Sequence, residues 1–273
     1  MSTAKCSEPL IPPLDLLGDD LLSTTPRQRG LALARPFVGV AVYGLAAYAH
    51  IWWLTPFLVF LIFVAVVTVT HDIVHGSLGL SRGQTEWALF VTGAVLLESG
   101  HAYRATHLRH HLVFPARNDP EGDPARLTLI GAILCGPFFV PRLWCWAFAQ
   151  TRPGSAQRRW LIVEAAWALG VIVVGFWLLP LTPAVLLYAA LAIVGSWVYP
   201  LLTVHLPHRH YGETPLTQTH TLRGRIIPAL FLELTYHLEH HLYPEVPSHN
   251  LPELSRRLDG TLRQAGVRPR HVP

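Results

Sequence analysis

Sixteen histidines stand in this 273-residue chain, and eight of them fall into three short words. His71-Asp72-Ile73-Val74-His75 has the form HxxxH, while His107-Leu108-Arg109-His110-His111 and His237-Leu238-Glu239-His240-His241 both read HxxHH. Residues three and four apart share one face of a helix, so each word presents its imidazoles as a prong toward a common point. Imidazole suits zinc, copper, iron and nickel alike, so the ligand type does not choose the metal. Eight imidazoles exceed what one transition ion coordinates, and two ions are the natural reading. Ligating histidines usually donate their second N–H to a carboxylate. Asp72 and Glu239 lie inside the words, and Asp119, Glu121 and Asp123 follow the second, so these acids are the expected partners. A lone histidine at a membrane edge is an ordinary polar residue; three words of graded length at the ends of charge-poor stretches are not.

Those stretches come from an unusual composition. Charged residues make up 14% of the chain and hydrophobic ones 51%, where a soluble domain carries about 25% charged. Between Arg35 and Arg82 the only side chain charged at neutral pH is Asp72, and between Arg159 and Arg209 it is Glu164. A charge at the centre of a bilayer is expensive, so such gaps read as membrane spans. Residues 36–54, 56–70, 160–179 and 183–204 are the expected spans, with breaks at Thr55-Pro56 and Pro180-Leu181-Thr182. Residues 87–97 are apolar but too few to cross. Residues 127–149 are long enough, yet Pro137, Pro141 and Arg142 interrupt them, and an interfacial helix is expected there.

An all-α architecture of two membrane hairpins follows, with residues 1–30 as a polar arm, 31–258 as the membrane domain and 259–273 as a tail. Two hairpins leave residues 1–30, 71–159 and 205–273 on one side, and nearly every arginine with them. The positive-inside rule makes that side cytoplasmic. His50, Trp52 and Trp53 would then lie near the far interface. The start is acidic and proline-broken, without the apolar core of a cleavable signal. Cys6, Cys135 and Cys145 make no disulfide or thiolate framework. No basic run with interleaved aromatics occurs, which argues against nucleic acid.

The order HxxxH, HxxHH, HxxHH resembles the membrane fatty acid desaturase superfamily, which includes acyl-lipid and acyl-CoA desaturases and the carotenoid ring ketolases and hydroxylases. The resemblance covers roughly residues 36–258. His71-Asp72 with His75-Gly76, Asp119-Pro120-Glu121-Gly122, His237 to Pro244 (HLEHHLYP) and Leu251-Pro252-Glu253-Leu254 carry it further. It implies a four-helix stalk under a cytoplasmic helical cap that holds two irons, with His71, His75, His107, His110, His111, His237, His240 and His241 as ligands. It also implies a ninth histidine after the last span. His208 is the choice, with His205 and His210 as rivals. The asparagine that some relatives place four residues earlier is absent, since Val204 and Leu206 stand there. His101 and His220 read as interfacial, with a place beside the metal ligands as the alternative.

By the same resemblance, two electrons from a separate ferredoxin or cytochrome b5-type donor reduce the irons. O2 then serves to remove hydrogen from a lipid methylene. The chain itself carries no haem, flavin or iron–sulfur motif. The stretch Glu245-Val246-Pro247-Ser248-His249-Asn250-Leu251 looks desaturase-like, so an acyl-chain desaturase is the expected function. The short chain and the word Leu206-Pro207-His208-Arg209 point to the alternative, a carotenoid β-ring hydroxylase or ketolase. A histidine-rich metal transporter would place its ligands at the midplane of its spanning helices, whereas these words lie at or past the helix ends.

Overall fold

The computed structural model describes residues 11–272. The first ten residues of the expected arm, Cys6 among them, and Pro273 of the expected tail lie outside the described residues. Among the described residues, four helices are long and apolar enough to cross a membrane: Pro26–Tyr48, Trp52–Val74, Ala156–Leu178 and Ala184–His208. At ~1.5 Å per residue each exceeds the ~30 Å hydrocarbon core.

Their limits differ from the expected ones for local reasons. The first begins at Pro26 because Thr25 and Gln28 cap each other's backbone there, and Pro36, expected at its start, lies inside it. The break after it falls at residues 49–51, where His50 takes a left-handed conformation, rather than at Thr55-Pro56. Pro56 instead sits in the first turn of the Thr55–Val74 helix, where a missing N–H breaks no helical bond. That helix then runs on through His71.

The second long helix is the hub. Its apolar window is 83% buried, against 22, 17 and 28% for the others. The first packs against the second, the second against the fourth, and the third against the fourth. The outer helices turn apolar side chains outward, as with Leu169, Val173, Phe176 and Trp177. Apolar residues facing out along a long helix fit a hydrocarbon solvent.

Between the two pairs lies a tight helical hairpin, Arg82–Leu96 and Gly100–Val113. Gly100 lets its helix touch the other's backbone: a Cβ there would stand 2.3 Å from the Leu89 carbonyl oxygen. Leu97 makes the turn in a left-handed conformation (φ 60°). The last carbonyls of the first arm are satisfied from the long helices, Ala94 by Trp167 Nε1 at 3.2 Å and Val95 by the Tyr188 hydroxyl at 2.7 Å. The hairpin tip is therefore level with the middle of the Ala156–Leu178 helix, although Arg82–Leu96 is too short to cross.

Residues 127–149 form two helices, Leu129–Leu134 and Gly136–Ala149, neither long enough to span. After His208 come a short parallel pairing of Leu222–Arg223 with Arg270–His271, the His237–Leu242 helix and the Leu251–Gln264 helix. The last buries Leu251, Leu254, Leu258 and Leu262 against Leu21, Leu238 and Tyr243. Residues 259–264, expected as tail, are its final turns.

Candidate metal centre

Four elements bring nine imidazoles together. The Thr55–Val74 helix ends with His71 on its last turn and His75 at its C-cap, before Gly76 turns the chain at φ 71°. The Gly100–Val113 helix, capped by the Ser99 hydroxyl, carries His107, His110 and His111. The His237–Leu242 helix carries the third word. The fourth long helix opens into a π turn at Pro200–His205 and delivers a fully buried His208. Pro200 and Pro207 lack backbone donors, and a π turn rotates the side chains beyond it relative to an unbroken α-helix.

The rings sort into two groups. His71, His75, His107, His111 and His240 form one, and His110, His208 and His241 the other. His237 joins the second, with its Nε2 3.0 Å from that of His208 and 3.1 Å from that of His241. Each HxxHH helix serves both groups. In the second word the i, i+4 pair His107 and His111 goes to the first group and His110 to the second. In the third word the pair His237 and His241 goes to the second group and His240 to the first. Of the three candidates for a ninth member, only His208 points inward. His205 bonds the Pro124 carbonyl through Nδ1 at 2.9 Å, and His210 is exposed.

One contact inside the second group lacks a hydrogen to share. His208 Nδ1 donates to the Gln218 carbonyl at 2.9 Å, which leaves its Nε2 bare. His110 Nδ1 lies 2.7 Å from Asp119, so its Nε2 is bare too. These two lone pairs face each other at 3.2 Å. In the first group His71 and His240, and His240 and His111, meet through Nε2 at 2.8 and 2.9 Å. Two nitrogens bound cis at ~2.1 Å to one octahedral ion stand ~3.0 Å apart, so the spacing fits a cation at the focus of each group. Protons are poor substitutes. Burial holds His75 down at about 4, and burial with neighbouring imidazoles lowers His107, His111, His237, His240 and His241. Neutral imidazoles are what a metal needs. The donor set therefore fits two metal ions.

The acids divide. Asp119 holds His110, and Glu121 meets His107 Nδ1 at 3.2 Å and accepts from the Thr106 hydroxyl at 2.6 Å; burial pushes the Glu121 carboxyl up to about 7. Asp72 accepts from the Ser248 backbone and hydroxyl, tying the first word to the segment after the third. Glu239 accepts from Thr221 and Ser255 and anchors its helix rather than orienting a ring. Asp123, expected beside the imidazoles, is instead half exposed and paired with Arg126 and Arg142. His101, read as interfacial, is fully buried, with Nδ1 2.7 Å from Glu164 and Nε2 3.1 Å from Glu86. His220 bridges Arg209 and Arg270 near the surface.

Tyr103 stacks on His107 at 4.8 Å and meets Tyr199 edge to face. Together with Val67 these tyrosines separate the imidazoles from an apolar chamber of about 470 Å³, lined by Val66, Leu96, Leu143, Trp144 and Leu169 among others.

A helical scaffold with four membrane-length helices and two abutting clusters of imidazole define a class of protein, and sequence comparison says which. The fatty acid desaturase family profile matches residues 46–273, and the chain belongs to that family, a di-iron enzyme class. Its relatives are diverse. It is 26% identical over 262 residues to the dihydrorhizobitoxine desaturase of Bradyrhizobium elkanii, covering 79% of this chain and 70% of that one. It is 29% identical over 201 residues to a β-carotene ketolase of Paracoccus sp. (strain PC1), covering 69 and 73%. It is 27% identical over 194 residues to the human sphingolipid delta(4)-desaturase/C4-monooxygenase DES2, covering 67 and 58%. Family membership makes it an oxidoreductase, and the four membrane-length helices fit a membrane setting.

Proposed function

We propose that this protein is a membrane di-iron, O2-dependent lipid desaturase that inserts a double bond into an acyl chain. The observation that carries the reading is the pairing of two convergent imidazole clusters with an apolar chamber one tyrosine layer away. His71, His75, His107, His111 and His240 hold one iron, and His110, His208, His237 and His241 the other. The irons, once bound, supply the O2 activation that breaking an unactivated C–H bond demands.

The chain's own residues do the rest. Asp119 and Glu121 fix the rings of His110 and His107, so that Nε2 points at the metal. The chamber takes the apolar body of the lipid and keeps water out, and Tyr103 and Tyr199 border the passage to the imidazoles. No side-chain nucleophile is required. Electrons come from a separate ferredoxin or cytochrome b5-type protein. The four long helices cross as two hairpins, with the imidazoles on the cytoplasmic face. The meeting of residues 71–75, 107–111, 208 and 237–241 in one place supports that common side.

Expression in a host of defined lipids and carotenoids, followed by mass spectrometry of both fractions, tests the proposal. A new double bond in acyl lipids, lost with His240→Ala, is the expected result. Unchanged acyl lipids with a hydroxylated or keto carotenoid would replace it with the second reading, ring oxidation of a carotenoid, which the β-carotene ketolase relatives favour.

A further inference from the structure

One wall of the apolar chamber is polar. Glu98, in the turn of the Arg82–Leu96 and Gly100–Val113 hairpin, lines it beside Ser99 and Glu164. Glu164 is satisfied, accepting from the Ser99 hydroxyl and pairing with His101. Glu98 Oε1 is buried and has no hydrogen-bond partner among the described residues. A polar atom left unpaired out of water is costly, and one that persists calls for a partner from elsewhere. The hairpin tip sits level with the middle of a membrane-length helix, where an acidic side chain marks a functional site by default. Burial without a partner also favours the protonated carboxyl, which can both donate and accept.

We infer that Glu98 recognises a hydroxyl group on the lipid that fills this chamber. The ligand is an apolar chain or ring body with an alcohol at the end remote from the imidazoles. Its standing as the substrate rests on the lipid-oxidising reading above. A carboxylate in its place would bring a third acid to a wall that already holds Glu98 and Glu164. A hydroxyl donates and accepts, so it satisfies Glu98 as acid or as anion. The same helix sets a length. From Ser99 to His107 the axis advances ~12 Å, and an extended chain gains ~1.2 Å per bond. The carbon brought to the imidazoles therefore lies roughly ten bonds from the hydroxyl.

The test uses the full-length protein in lipid nanodiscs, with binding of tritiated hexadecan-1-ol and tritiated hexadecane measured over empty discs. The wild type should hold the alcohol roughly tenfold more tightly than the alkane, the worth of one buried hydrogen bond. Glu98→Leu should erase that preference while still binding hexadecane, and Glu98→Gln, whose amide donates and accepts, should keep most of it. A wild type indifferent to the hydroxyl, or a leucine variant that retains the preference, overturns the proposal. Infrared difference spectra give a reading independent of variant folding. The carboxyl band that disappears in Glu98→Gln should shift on adding the alcohol and not the alkane; a band that ignores the alcohol also overturns it. The two readings fail separately. Hydroxyl preference without lipid oxidation in cells removes the proposed function alone, whereas lipid oxidation with no hydroxyl preference removes the Glu98 assignment alone.

Discussion

Asp119 touches no metal position, yet it decides which nitrogen of His110 is free to bind one. Its carboxylate, 2.7 Å from Nδ1, keeps the hydrogen there and Nε2 bare. Removing it in Asp119→Ala should weaken iron binding by roughly 10–100-fold with the chain still folded, as measured by chelator competition. His110→Ala or His240→Ala should cost at least one iron per chain and all turnover, read by elemental analysis of membrane-inserted protein. At this scale the sequence was legible where spacing alone carries the geometry. The three words name eight imidazoles, whereas His208 rested on the family resemblance alone, which left His205 and His210 beside it. Position in the chain was a poorer guide to the acids. Asp119, Glu121 and Asp123 stand equally near the second word, but a new turn of helix starts at Asp123 and aims that side chain at Arg126 and Arg142. His101 was illegible because its partners, Glu86 and Glu164, lie in other helices.

Among the elements, the Arg82–Leu96 and Gly100–Val113 hairpin positions most of the site with the least tolerance. A methyl at Gly100 would stand 2.3 Å from the Leu89 carbonyl oxygen, a backbone atom that cannot swing aside. Gly100→Ala should therefore destabilise the protein by about 1–3 kcal/mol, seen as a lower melting temperature, and displace Tyr103 from His107. The four long apolar helices themselves were legible as gaps in charge. Their limits were not, because a proline in the first turn of a helix and one that breaks a helix look alike in sequence. Pro56 starts a helix, and Pro36 is absorbed within one. The depth of the hairpin was hidden for another reason: it depends on Trp167 and Tyr188 reaching back from distant helices.

Taken whole, the molecule gathers basic groups that must stay neutral. His75 titrates at about 4 in the folded chain, against 6.5 for an ordinary imidazole. Between those values the unfolded chain binds more protons, so the stability of the metal-free protein should rise with pH from about 4 to 6.5 and be lost on acidification through that window. Thermal melts across that range check it, and loading with iron should carry the dependence below pH 4, because an imidazole bound to a metal takes up no proton. Turnover should also need a second protein: NADPH alone should give none, and a ferredoxin with its reductase should start it.

The crossed arrangement of the two HxxHH helices carries a last consequence. Each lends a pair of rings to one ion and a single ring to the other, so whichever ion arrives first orders both helices on behalf of its neighbour. Metal uptake should accordingly be pairwise. In native mass spectra of a protein given half its iron, chains holding none and chains holding two should dominate, with singly loaded chains scarce; a statistical mixture would mean that the two sites assemble independently.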